Sequence, residues 1–306
     1  MSQNSSASVV IRLVGGLGNQ LFQYAAARRL AYVNQIPLYL DVISGFERDP
    51  YKRSFSLNNF NIQAFLATRS ESYAGNFRRC IRYSLRKRDL KKDISHRTFI
   101  GEQGHDFIPE LMTLKIKKSI YLEGYWQNEK YFHDIKDIIH NELTLKSPVS
   151  NEVADMHEQI SQCRESVCLH IRCHYYLNQN YEHQRVQLDE EYYRNAILEI
   201  LQYVQQPHFF IFSDDPKWIK ENFVPTILSE YDYTLVDERI RGKDFEILFL
   251  MTGCRYFILS YSTLCWWGAW LSLYKNKRVV APEPERLGNI CNWSFGENVP
   301  VNWILI

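Results

Sequence analysis

An apolar, β-branched run, Val9-Val10-Ile11-Arg12-Leu13-Val14, ends in Gly15-Gly16-Leu17-Gly18-Asn19-Gln20 and passes into a segment with Phe22, Ala26, Leu30 and Val33 at helical spacing. Residues 36–41 then read as a second strand. Strand, glycine turn, helix, strand is a βαβ unit, and its crossover makes the two strands parallel. The alternation returns after residue 165. Strand 167–172 is followed by a helix opened by Asp189 with Tyr193, Ile197, Ile200 and Val204 on one face. Strand 209–213, a helix start at Asp214-Asp215-Pro216, helix 244–251, strand 256–260, helix 264–274 and strand 278–281 complete the series. Such alternation predicts doubly wound α/β sheets with ligands at the carboxyl ends of the strands.

A chain of 306 residues suits two domains of ordinary size, and the interface between two domains is a natural ligand cleft. The polar zone Lys146-Ser147-Pro148-Val149-Ser150-Asn151 reads as the linker, giving domains 1–148 and 149–306. The 36 basic and 35 acidic residues nearly cancel, so no global field draws nucleic acid or a membrane. A local exception runs from Arg78 to Lys92, with eight Lys or Arg in fifteen positions. It is either a solvated face or a patch for peripheral contact with anionic lipid or a pyrophosphate-linked acceptor.

Seven scattered cysteines with no CxxC pair predict reduced thiols in the cytoplasm. Residues 1–8 lack the basic and apolar regions of a signal peptide, so no secretion is expected. Residues 256–274 carry no charge over nineteen positions, but Ser260, Ser262, Thr263 and Gly268 interrupt them, and they divide into a buried strand and a buried helix rather than a membrane span. The 20 Tyr, 17 Phe and 7 Trp either build the core or line a carbohydrate site.

Four strand ends carry polar side chains. The glycine turn invites a dinucleotide reading with Asp41 as the ribose acid, yet Leu21 stands where the third Gly or Ala belongs. What remains is backbone that a ligand can approach at Gly16, Gly18 and Asn19, beside a helix N-terminus, or a tight turn without a ligand. His170 and Arg172 fall on one strand face at period two, and a guanidinium there suits a pyrophosphate oxygen. Ser262 and Thr263 open a tryptophan-rich helix as an anion site or a plain cap. Asp214 and Asp215 bond a ribose or a guanine edge, cap a helix, or bind a metal; the further ligands a metal asks for have no clear place in the sequence.

Segments 15–27 (GGLGNQLFQYAAA), 123–132 (EGYWQNEKYF), 170–172, 212–218 (FSDDPKW) and 244–271, with its LMTGCRYFILSYSTLCWWGAWL, together resemble the bacterial α-1,2-fucosyltransferases, relatives of the α-1,6- and protein O-fucosyltransferases. The resemblance implies two Rossmann-like domains facing across a cleft, the GT-B type. It implies an inverting enzyme with no metal or other cofactor, moving L-fucose from GDP-β-L-fucose to O2 of a galactose-type acceptor. The product would be a surface polysaccharide or O-antigen glycan, on a free or lipid-linked acceptor. Carried over by position, Arg172 binds the donor β-phosphate, His170 lies against the nucleotide, and Asp214 or Asp215 contacts the nucleoside. Ser262 and Thr263 meet the pyrophosphate, while Gly16, Gly18 and Asn19 face the reacting centre from the other domain.

Two departures stand out. Relatives continue the HxR motif with Arg-Gly-Asp-Tyr, whereas this chain has Cys173-His174-Tyr175-Tyr176; their Asn-Ser-Ser-Phe-Ser is here Tyr261-Ser262-Thr263-Leu264-Cys265. The general base is therefore unassigned, with His174 a candidate because it is nearby and titrates near neutrality. Rival readings are a fucosyltransferase of other linkage, a transferase of another GDP-sugar, a dinucleotide oxidoreductase and a non-catalytic carbohydrate-binding protein.

Overall fold

The computed structural model describes residues 7–102, 104, 106–176, 183–185, 188–236, 243–283 and 299–306. The chain divides into two compact units, Met1–Ser147 and Pro148–Ile306.

The first unit contains β1 (Val9–Arg12), α1 (Leu17–Asn34), β2 (Leu38–Asp41), β3 (Phe65–Leu66), α2 (Asn76–Asp89), β4 (Phe99–Gly101), β5 (Ile120–Glu123) and α3 (Lys136–Glu142). Its five strands lie in the order β3-β2-β1-β5-β4, all parallel. One face of the sheet presents Val10, Phe99 and Tyr121, which with Ala67 form a core cluster that Tyr39, Tyr73 and Leu85 of α2 pack against. Leu122 points to the other face, where it meets Ala26 and Leu30 of α1.

The glycine turn is shorter than its sequence suggests. Only Gly15 and Gly16 precede α1, with Gly15 at φ +81 and Gly16 in the N-cap position, while Gly18 and Asn19 already lie in the first helical turn. Glycine weakens a helix by less than about 1 kcal/mol, and burial along nearly the whole of α1 outweighs that cost.

The second unit contains α4 (Asn151–Gln162), β6 (Ser166–Ile171), β7 (His174–Tyr176), β8 (His183–Arg185), α5 (Glu190–Leu201), β9 (His208–Ser213), α6 (Pro216–Trp218), α7 (Val224–Ile227), β10 (Asp232–Leu235), α8 (Asp244–Thr252), β11 (Tyr256–Ile258), α9 (Thr263–Leu271), β12 (Arg278–Ala281) and β13 (Ile304–Leu305). Six strands form a parallel sheet in the order β10-β9-β6-β11-β12-β13, and β7 pairs with β8 in an antiparallel hairpin. Every residue of the central strand β6 is buried, in keeping with its mostly apolar sequence, broken only by Ser166 and His170.

The uncharged stretch 256–274 resolves into β11 and the nine-residue α9. Among the described residues, no helix is long and apolar enough to cross a membrane. Trp266, Trp267 and Trp270 of α9 are buried and pack on one another, and Trp266 also meets Trp303, so these rings are core rather than a sugar platform. Helices α8 and α9 approach closely at Gly268, where a Cβ would lie 2.7 Å from that of Met251.

Candidate active site

In each sheet the strand that starts the unit's winding has neighbours on both sides, and the polar motifs gather beside it. In the second unit, β6, β9 and β10 run to one side while β11, β12 and β13 run to the other. In an open α/β sheet such a switch point leaves a crevice at the strand carboxyl ends. His170 is the penultimate residue of β6, beside Ser260, which follows β11, and Asp214 follows the neighbouring β9.

The side chains interlock. His170 Nδ1 lies 2.7 Å from Ser260 Oγ, with the ring buried. Burial, reinforced by the charge of Arg172 and opposed by Asp214, pushes the imidazole down to about 4, so it is neutral at neutral pH. Arg172 Nε is 3.3 Å from Asp214 Oδ2 and its side chain is 34% exposed, while Asp214 Oδ1 accepts the Cys173 amide at 2.7 Å. Asp214 thus contacts both the guanidinium and the backbone beyond it.

Strand periodicity predicts His170 and Arg172 side by side, but β6 ends at Ile171. Arg172 therefore lies just beyond the strand, where it pairs with Asp214 after β9, while His170 bonds Ser260 after β11. Asp215 proves to be a helix cap, its carboxylate accepting the Trp218 amide at 3.1 Å. Ser262 occupies the N-cap of α9 without closing it through its side chain, so a simple Ser cap is not what the structure builds there. Thr263 is the first residue of α9. His174 lies in β7, but its side chain falls outside the described residues.

In the first unit the switch point lies between β1 and β5, so the glycine turn and the segment after Glu123 are neighbours. Gln23 stitches them together: its Oε1 accepts the Val14 amide at 3.0 Å and its Nε2 donates to the Gly124 carbonyl at 3.1 Å. Gln127 Nε2 donates to Asn19 Oδ1 at 3.0 Å. Glu102 accepts the amides of Tyr125 at 2.6 Å and Trp126 at 3.1 Å, holding Trp126 at φ +56. Arg12 pairs with Glu123 at 3.3 Å, and Arg82 approaches the same oxygen at 3.6 Å. A Cβ added to Gly16 would touch no atom of the described residues.

Asp41 is no ribose ligand. It is fully buried and accepts the amides of Ile43 and Ser44 and the hydroxyls of Ser44 and Tyr121. Its oxygens are spent on the fold, which together with Leu21 removes the support for a dinucleotide reading. The bond of Ser260 to His170 and the roles of Glu102 and Gln23 leave no mark in the sequence, because their partners lie across strands or on the backbone. Among the described residues, no group of three or more His, Cys, Asp or Glu is placed to hold a metal ion.

The signature of glycosyl transferase family 11 matches residues 6–287. The chain belongs to that family. It is 31% identical to an alpha-1,2-colitosyltransferase of Escherichia coli, over 90% of this chain and 91% of that protein. It is 29% identical to the O-antigen biosynthesis glycosyltransferase WbnK of Escherichia coli, over 90% and 94% respectively. In structure it is similar to a NodZ alpha-1,6-fucosyltransferase soaked with GDP-fucose, with a TM-score of 0.55 and 13% identity over 94% of this chain and 98% of that one. NodZ from Bradyrhizobium in another crystal gives 0.51 and 13%, over 86% and 92%. These likenesses show a shared α/β fold, and the family makes this chain a glycosyltransferase.

Proposed function

We propose that this family 11 glycosyltransferase moves L-fucose from GDP-β-L-fucose to O2 of a galactose-type acceptor, with inversion and without a metal ion. The observation that carries the reading is the convergence of Arg172, Asp214, His170 and the start of α9 on one switch point of the second unit. A held guanidinium beside a helix N-terminus suits a diphosphate leaving group.

As the fucosyl C1–O bond breaks, its electron pair goes to the β-phosphate oxygen of GDP. Arg172 and the first turn of α9 stabilise that charge, the kind of electrostatic help that usually dominates such a site. The acceptor hydroxyl attacks the opposite face of C1 and gives up its proton to a base, for which His174 is the candidate. Neutral His170 adds no second cation beside Arg172; its bond to Ser260 sets the ring against the nucleotide.

The 31% identity to an alpha-1,2-colitosyltransferase supports a 1,2 linkage and makes colitose the second reading of the donor sugar. The 29% identity to an O-antigen biosynthesis glycosyltransferase supports a surface-glycan acceptor. A donor panel of GDP-fucose, GDP-colitose and GDP-mannose with a β-galactoside tests the reading through GDP release. Acceptor-dependent release from GDP-fucose that persists in excess EDTA is expected. Release from another donor alone would refute the fucose assignment, and activity lost to EDTA and restored by Mg²⁺ or Mn²⁺ would refute metal independence.

A further inference from the structure

The basic helix α2 has two different sides. Its inward side is engaged with the first unit: Leu85 packs on the sheet, Arg78 donates to the carbonyls of Ser70 and Ser72, Arg82 approaches Glu123, and Arg86 donates to the Glu102 carbonyl. Asp89, the one acid of the helix, is buried and paired with Arg88 and Lys92. No negative charge on the helix therefore reaches its solvent side.

The solvent side mixes apolar and basic groups. Phe77 is 78% exposed, Tyr83 59% and Ile81 38%, and Cys80 is exposed beside them. At helical spacing Phe77, Cys80, Ile81, Ser84 and Arg88 form a strip, with Tyr83 and Lys87 along one edge. Arg79 and Lys91 add exposed cations. A merely solvated basic face gives no reason to hold a phenylalanine and an isoleucine one turn apart in water. Apolar side chains among cations do match the boundary between the acyl chains and head groups of an anionic bilayer.

We propose that α2 docks the protein on an anionic lipid surface, with Phe77 and Ile81 entering the interface and Lys87 and Lys91 meeting phosphate head groups. Because Arg82 and Arg86 tie the helix to Glu123 and Glu102, docking holds the segment after β5 near that surface. The docking itself does not depend on the proposed reaction, so its test needs no turnover.

Co-sedimentation of the full chain with vesicles of equimolar phosphatidylglycerol and phosphatidylcholine is expected to show binding that salt weakens, with little binding to phosphatidylcholine alone. Phe77→Asp/Ile81→Asp and Lys87→Glu/Lys91→Glu should each lower the apparent affinity by about tenfold or more, with an unchanged melting temperature and unchanged turnover of a free disaccharide. A second measurement leaves the helix face intact: with Cys163→Ser and Cys291→Ser in place, an environment-sensitive fluorophore on Cys80 should shift to the blue on anionic vesicles only. Vesicle binding that survives both sets of variants, or a fluorophore that does not shift, overturns the proposal. So does self-association abolished by Phe77→Asp/Ile81→Asp without any vesicle binding, which would make a second copy of the chain the partner.

Discussion

Arg172 and Asp214 divide one task between them. The carboxylate orients the guanidinium, and the guanidinium keeps enough exposure to meet a departing phosphate. Arg172→Ala should lower kcat by roughly 10²-fold or more, because the lost interaction strengthens as charge develops. Arg172→Lys should restore little, since an ammonium cannot supply the planar fork; steady-state kinetics of folded variants decides. His170 gives a different signal. The unfolded chain takes up a proton there near 6.5 and the folded chain only near 4, so this contribution to stability is complete above the first value and is lost as pH falls through the second. Between pH 7 and pH 5 the loss should be on the order of 2 kcal/mol, and urea unfolding of His170→Gln should show a correspondingly flatter pH dependence. Gly16 isolates ligand approach from folding: its φ of −73 suits any residue and a methyl there meets no atom of the described residues. Gly16→Ala should therefore leave the melting temperature almost unchanged while lowering kcat/KM by about tenfold or more, the penalty for displaced reactants.

At the scale of elements, α9 shows how a buried helix ending is secured. Lys277 Nζ donates to the carbonyls of Ala269, Trp270 and Ser272, placing a cation at the C-terminus of the helix dipole. Lys277→Met should destabilise the protein by about 1.5–3 kcal/mol, the range for hydrogen bonds to a charged group, as chemical denaturation would show. Elements buried on both faces were legible in the sequence: β6 as an apolar run, α5 through its Asp189 cap and the buried Tyr193, Ile197 and Ile200. β10 was not, because its side chains are exposed or half-buried and provide neither a run nor an alternation. The start of α1 was misread for another reason, since Gly18 looks like turn chemistry until the burial around it is known. The site was legible where strand ends carry charge, as at Arg172 and Asp214. The pairing of His170 with Ser260 was not, because it depends on how β6 and β11 lie together across a separation of 90 residues.

Over the whole molecule, two α/β units with parallel sheets each bring their polar motifs to a switch point in the strand order. In the second unit this brings a held arginine and the start of α9 to one switch point; in the first, Gln23, Glu102 and Gln127 brace the turn and the segment after β5 near Gly16, where no atom of the described residues lies close. The division of labour predicts that donor chemistry and acceptor choice separate by unit. Arg172→Ala should act mainly on kcat with GDP-fucose, and Gly16→Ala should change its effect with the acceptor offered. The most direct measurement is NMR of the product formed from GDP-β-L-fucose and a β-galactoside, reading the anomeric configuration and the galactose carbon that bears the new bond. The account predicts an α-L-fucosyl residue on O2; a β-fucoside would contradict inversion, and attachment at any other carbon would contradict the linkage.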